Sequence, residues 1–225
     1  MEHDVKTAGI LQYSKEWEKL YKEEAKKIKK SLGKNCVAVH HIRDTSFKSD
    51  VCVLNGKIEI VILATVKKVD EVIPDTLCNI GYEQIFAGYK KEGEIDVVLW
   101  VREAKTPDNY GEILRETTLR DYMVAHPEKA AEYTAYKAKC AKEANDILEI
   151  KELTEKYFDE LRPEISKWQA EQNNVSTGLA LGMCFGMSIG TAIGAAMGNM
   201  TLGMTMGTSI GMCLGIALGH AKNKK

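Results

Sequence analysis

Residues 178–219 read GLALGMCFGMSIGTAIGAAMGNMTLGMTMGTSIGMCLGIALG, with glycine at 178, 182, 186, 190, 194 and 198 and again at 203, 207, 211, 215 and 219. No charge falls inside this stretch. Met, Leu, Ile, Ala, Phe and Cys stand between the glycines with a few Ser and Thr, so it is apolar in a way that a Gly/Ser linker is not. Two periods coexist. At spacing two, Gly178, Ala180, Gly182, Cys184 and Gly186 would form the small face of a strand, a silk-like or cross-β reading. At spacing four, the glycines fall on one slowly drifting helical stripe that lets two backbones approach closely. Length favours the helix, because strands rarely exceed about ten residues whereas a helix of about twenty rises roughly 30 Å, the thickness of a bilayer core.

The four-residue step slips to five between Gly198 and Gly203, where Gly198-Asn199 is also the best local turn signal. The stretch therefore predicts two glycine-zipper helices, 178–198 and 201–219, folded as a hairpin. The helix-packing positions are Gly182, Gly186, Gly190, Gly194, Gly207, Gly211 and Gly215, and the methionines, Met183, Met187, Met197, Met204, Met206 and Met212, are expected as packing filler. A membrane hairpin, a soluble helical assembly and a β-assembly all remain open at this point, since eleven glycines dilute the apolar content. The charges that follow Glu171 are Lys222, Lys224 and Lys225, which predict a cytoplasmic C-terminus and hence, for a two-pass hairpin, a cytoplasmic N-terminal part.

The 225 residues allow one domain of ordinary size, residues 1–172, before the tail of residues 173–225. Setting the three tail lysines aside from the net charge of -1 leaves -4 on residues 1–171, so no basic field points to a nucleic-acid partner. The six cysteines, at 36, 52, 78, 140, 184 and 213, form no C-x-x-C pair and read as reduced, mostly buried thiols. Met1-Glu2-His3-Asp4 is not a basic region leading into an apolar run, and no signal peptide is expected.

Residues 14–32 predict a helix with Ser14 as N-cap, Trp17, Leu20, Tyr21, Ala25, Ile28 and Leu32 on one face and Gly33 as the stop. Val- and Ile-rich runs at 36–42 and 57–66 predict strands, separated by a polar loop at 43–50. A short helix over 69–80, strands at 82–86 and 95–101 joined by a charged turn at 87–94, and helices from 110 to 172 complete an α+β fold, a small mixed sheet with flanking helices.

Several motifs then fall in a familiar order: Leu11, Tyr13 and Trp17; His40-His41-Ile42 with Thr45-Ser46; Ile80-Gly81-Tyr82; and Leu119-Arg120-Asp121-Tyr122, His126-Pro127, Glu132-Tyr133 and Lys137. Over residues 10–165 the chain resembles the GrpB family, most specifically in the Arg-Asp-Tyr, His-Pro, Glu-Tyr, Lys block. The resemblance implies a nucleotidyltransferase-like fold, and the glycine tail lies outside the family pattern.

Two departures bear on activity. The family reads His-Ile-Gly-Ser-Thr-Ser where this chain has His41-Ile42-Arg43-Asp44-Thr45-Ser46, which removes the glycine that lets backbone approach a triphosphate and adds a repelling carboxylate. The family's Lys-Pro-Ile-Ile-Asp-Ile corresponds to Asn55-Gly56-Lys57-Ile58-Glu59-Ile60, with a longer carboxylate. A surviving site would use Glu59 and Asp96 as catalytic, metal-holding carboxylates for Mg²⁺, with Thr45, Ser46 and Arg120 binding the nucleoside triphosphate. His41 reads as a satisfied sheet histidine, and Arg120 with Asp121 as a structural pair at a helix start. Two functions follow: a non-catalytic binding or interaction domain tethered to a membrane or to an oligomer by the tail, or a tethered Mg²⁺-dependent nucleotidyltransferase that takes a small-molecule nucleotide.

Overall fold

The computed structural model describes residues 8–72, 74–86 and 88–223. The expectations that rest on residues 1–4 and on Lys224 and Lys225 lie outside the described residues. Two compact units divide the chain, Met1–Glu160 and Leu161–Lys225.

The first unit is the expected α+β fold. Its helix α1 (Lys15–Leu32) starts where the Ser14 side chain accepts the Glu16 N–H at 3.2 Å and stops at Gly33, whose φ of 53° suits glycine. A five-stranded mixed sheet runs in the order β2 (Cys36–Ile42), β4 (Glu59–Val66), β7 (Asp96–Glu103), β6 (Gly88–Lys91), β5 (Glu83–Ile85). Only β4 and β7 are parallel neighbours; the other pairs are antiparallel. Interior strand β4 is buried from Ile62 to Val66, as a strand covered on both faces must be. One face presents Ile60, Ile62, Ala64 and Val66 to Trp17, Ala25, Ile28 and Leu32 of α1. The other carries Glu59, Val61 and Leu63 beside Asp96, Val98 and Trp100, and α3 (Pro107–Ala125) packs against β2 and β7.

Sequence periodicity missed a two-stranded sheet, β1 (Ala8–Leu11) with β3 (Val51–Leu54). The expected turn at 87–94 instead contains strand β6. Its lysines hide it, because Lys90 and Lys91 point to opposite faces and each reaches a buried carboxylate, Asp96 and Glu24 respectively. The expected helix over 69–80 is reduced to α2 (Pro74–Cys78). His126-Pro127 breaks the long helical stretch, since the residue before proline is pushed out of the helical region; His126 has φ -126° and ψ 75°. Helix α4 (Pro127–Glu143) then leads to α5 (Ile147–Ala196), opened by the Asp146 carboxylate accepting the Glu149 N–H at 2.8 Å.

The second unit holds the remainder of α5 and helix α6 (Met200–Lys222), antiparallel across a turn at Gly198. The first tail helix does not begin at 178: α5 runs unbroken into it, because Gln172 to Thr177 contain no helix breaker and one glycine costs only about 1 kcal/mol. Asn199 caps α6 by accepting the Leu202 N–H at 3.1 Å. At the other end Asn174 Nδ2 donates to Asn223 Oδ1 at 2.8 Å. The glycines face one another. A Cβ built on Gly182, Gly186 or Gly190 would stand 2.9 Å from the Cα of Gly215, Gly211 or Gly207, and one on Gly194 3.0 Å from that of Gly203.

The large side chains accordingly point outward, with Phe185 65% and Leu218 70% exposed. Met187, Met197, Met204 and Met206 are exposed as well, so they do not fill the helix contact as expected. Nor are the cysteines mostly buried. Cys52 and Cys140 are, but Cys78, Cys184 and Cys213 are exposed, the last two each standing two residues beyond an inward glycine.

Candidate functional site

The turn after β2 is where the sequence departs from the pattern it resembles, and there the backbone adopts a glycine conformation without a glycine. Arg43 has φ 64° and ψ -168°, a region almost reserved for glycine that costs about 1–3 kcal/mol for other residues. Its carbonyl accepts the Ser46 N–H at 2.9 Å and the Ser46 hydroxyl at 2.6 Å, which closes the turn. The guanidinium donates from Nη2 to Glu116 Oε1 at 3.1 Å, and its Nε stands 3.0 Å from Oε2 as an ion-pair contact without hydrogen-bond alignment. Its Nη1 donates to Glu155 at 2.7 Å, and the group lies 5.2 Å above the Trp100 ring. Burial pulls the Glu116 carboxyl upward and Arg43 opposes it; burial would lower the guanidinium, and Glu116 and Glu155 outweigh it. The net direction for Glu116 is upward, while Arg43 stays charged because a guanidinium cannot be discharged near neutral pH.

Asp44 follows the same pattern. Tyr133 donates its hydroxyl at 3.0 Å and Lys137 its ammonium, so two residues of the family block spend themselves on one internal carboxylate. Burial lowers the Lys137 ammonium and Asp44 more than compensates, which keeps it protonated.

The expected nucleotide-binding residues lie around this turn, but Thr45 and Ser46 turn their hydroxyls inward and Arg120 is engaged by Asp121 at the surface. Thr45 is buried, donates to the Glu59 carbonyl at 3.3 Å and meets His41 Nε2 at 3.0 Å. Ser46 is buried and bonded to Arg43. Arg120 binds the Asp121 carboxylate through Nε at 2.9 Å and Nη2 at 2.7 Å, and donates from Nη1 to the His41 carbonyl at 3.3 Å. That pair sits near the end of α3 and not at a helix start. His41 is stacked on Tyr21 at 4.7 Å; burial and Arg120 push it down to about 4, so it is neutral at pH 7.

Glu59 and Asp96 are brought together. They are register partners at the start of parallel β4 and β7 and so share a face of the sheet. Asp96 is 1% exposed and Glu59 is exposed. A divalent ion does not fit this pair as built. Lys90 Nζ is 2.9 Å from Asp96 Oδ2 and 3.9 Å from Glu59 Oε1, Lys57 Nζ is 3.5 Å from Asp96 Oδ2, and the Gly93 N–H at 3.2 Å engages Asp96 Oδ1. Burial would raise the Asp96 carboxyl, yet Lys90, the Gly93 N–H and Lys57 together hold it below its ordinary value. Among the described residues no group of three or more His, Cys, Asp and Glu is placed to hold a metal. Sequence reasoning missed Lys90, whose pairing with Val98 places it on the face of Asp96 and is fixed by the register of β6 on β7.

A model of the family described as GrpB protein matches residues 7–170. The chain belongs to the GrpB family. A relative among curated proteins is the UPF0157 protein YqkA of Bacillus subtilis (strain 168), 25% identical over 174 residues, 74% of this chain and 50% of that one. The chain thus spans about half the length of that relative. The crystal structure of the conserved protein GrpB from Enterococcus faecalis matches with TM-score 0.50 and 24% identity over 68% of this chain and 98% of that one. This likeness concerns the fold. The family match ends at residue 170, inside α5 and short of the glycine-rich stretch; α5 and α6 are long and apolar enough to cross a membrane.

Proposed function

We propose that this GrpB protein is a non-catalytic binding or interaction module with a nucleotidyltransferase-like fold, tethered to the cytoplasmic face of a membrane by its C-terminal hairpin. The observation that carries the non-catalytic reading is Arg43. A backbone shaped for glycine holds an arginine whose guanidinium is consumed by Glu116 and Glu155, while Asp44 consumes Lys137. Phosphoryl-type transfer depends almost wholly on positioned donors and charge stabilisation. Cations already neutralised by internal carboxylates supply neither. A tethered Mg²⁺-dependent nucleotidyltransferase is the second reading, and the in-register pairing of Glu59 with Asp96 is what favours it.

The tether rests on an inside-out distribution. Glycines meet at the helix contact and Leu, Ile, Phe and Met face outward, the reverse of a soluble helix pair. Polar groups gather at the two ends, Asn174 with Asn223 and Asn199 at the turn, and the hydroxyls of Ser188, Thr191, Thr205, Thr208 and Ser209 between them bond back to their own helix, as Thr191 does to the Met187 carbonyl at 2.7 Å. The uncharged turn costs little to carry across a bilayer, and Lys222, Lys224 and Lys225 favour a cytoplasmic C-terminus.

Two measurements test this reading. Full-length protein incubated with labelled nucleoside triphosphates and Mg²⁺ or Mn²⁺ is expected to release no pyrophosphate. Release that Glu59→Gln/Asp96→Asn abolishes would establish the enzyme instead. In cell fractionation the chain is expected to stay with membranes through high salt and alkaline carbonate and to leave only in detergent; recovery as a soluble oligomer would replace the membrane tether by self-association.

A further inference from the structure

We infer that Lys90 is a built-in cation that takes the place of a divalent metal between Asp96 and Glu59, so that this face of the sheet is complete without metal and becomes a metal site only when the ammonium is removed. The inference rests on the non-catalytic reading and deepens it, by naming what occupies the centre of the carboxylate pair.

The geometry comes from three neighbouring strands. Glu59 and Asp96 stand in register on β4 and β7, and Lys90 on β6 pairs with Val98, two residues beyond Asp96 on the same face. A side chain at this diagonal is within reach of its neighbour, and Lys90 Nζ lies 2.9 Å from one carboxylate and 3.9 Å from the other. Asp96 makes such a cation necessary. It is 1% exposed, and a buried carboxylate without a compensating charge would be strongly destabilising. The Gly93 N–H at 3.2 Å satisfies one oxygen and leaves Oδ2 to the lysines. Tethering also changes the thermodynamics. A metal must be recruited from solution and gives up its water, whereas Lys90 arrives with the fold, at the cost only of ordering its side chain. Lys57, 3.5 Å from the same oxygen but more than half exposed, is a second cation able to move in if Lys90 is lost.

The test reads metal binding with no nucleotide present, on the full-length protein in detergent. For the wild type, Mn²⁺ titration followed by NMR is expected to cause no selective broadening of the Gly93, Lys90 and Asp96 amide signals. Selective broadening there would overturn the inference without any variant. The variant Lys57→Met/Lys90→Met is expected to take up one Mn²⁺ at least about tenfold more tightly than the wild type. Its unfolding temperature should fall in chelator and recover with Mn²⁺, and Asp96→Asn in the same background should remove both effects. A folded double variant with no Mn²⁺ uptake overturns the inference. Pyrophosphate release that survives Glu59→Gln/Asp96→Asn would end the non-catalytic reading and leave this result standing, whereas selective Mn²⁺ binding at this pair in the wild type without release would overturn this inference and leave the non-catalytic reading.

Discussion

Gly182 and Gly211 meet across the tail hairpin with no room for a side chain on either: a Cβ on Gly182 would lie 2.9 Å from Gly215 Cα, and one on Gly211 would lie 2.8 Å from Gly186 Cα. Backbone contact of this kind contributes through dispersion and survives in lipid, where burial of apolar surface no longer drives helices together.

It follows that Gly186→Leu should loosen the hairpin although it adds hydrophobicity. Faster hydrogen exchange of the 182–190 and 203–211 amides in detergent is the expected result. Unchanged protection would mean that the helices pack by apolar character alone.

Arg43→Gly sets two effects against each other. The backbone strain of about 1–3 kcal/mol is relieved, while buried Glu116 loses its nearest cation and keeps Arg115 at 3.4 Å, a cost of about 3–5 kcal/mol. Net destabilisation of about 2 kcal/mol is expected by denaturant titration. Arg43→Gly/Glu116→Gln should recover most of it, and a stabilised single variant would show that the guanidinium contributes little.

His41 should make stability acid-sensitive. Its folded-state value is about 4, below the ordinary 6.5, so the unfolded chain binds a proton first as pH falls. The neutral-state advantage is fully present above pH 6.5, declines through the interval down to about 4, and amounts to about 3 kcal/mol. Urea titrations between pH 7 and 4 should reveal this slope in the wild type and a shallower one in His41→Gln. Parallel slopes would locate the acid sensitivity elsewhere.

Glu24 was not singled out in the sequence, yet it is 2% exposed and ties α1 to β6 and the segment before β5. Tyr82 donates to it at 3.1 Å, Lys91 at 3.1 Å and Lys27 at 2.7 Å. Burial would raise this carboxyl, and Lys27, Lys91 and Tyr82 together hold it low. Glu24→Gln should therefore cost about 3 kcal/mol at pH 7, and the cost should shrink as acid protonates the wild-type carboxyl. A difference that does not change with pH would mean that shape and not charge matters there.

Local chemistry alone determined much of this protein. A four-residue glycine period with one slip wrote the hairpin and its turn, Ser14 and Gly33 bounded α1, His126-Pro127 divided α3 from α4, and Val/Ile runs marked β2 and β4. Each signal acts within a few residues along the chain, through capping, φ restriction or periodic burial, and so is visible without neighbours. Only the tertiary structure decided the site. Lys137 reaches Asp44 across 93 residues, Arg43 reaches Glu155 across 112, and Lys90 meets Asp96 because β6 and β7 pair in one register. A lysine in a charged stretch looks like a solvated turn until a buried carboxylate stands opposite it, and that partner is chosen by strand register and helix docking, which one-dimensional spacing does not encode.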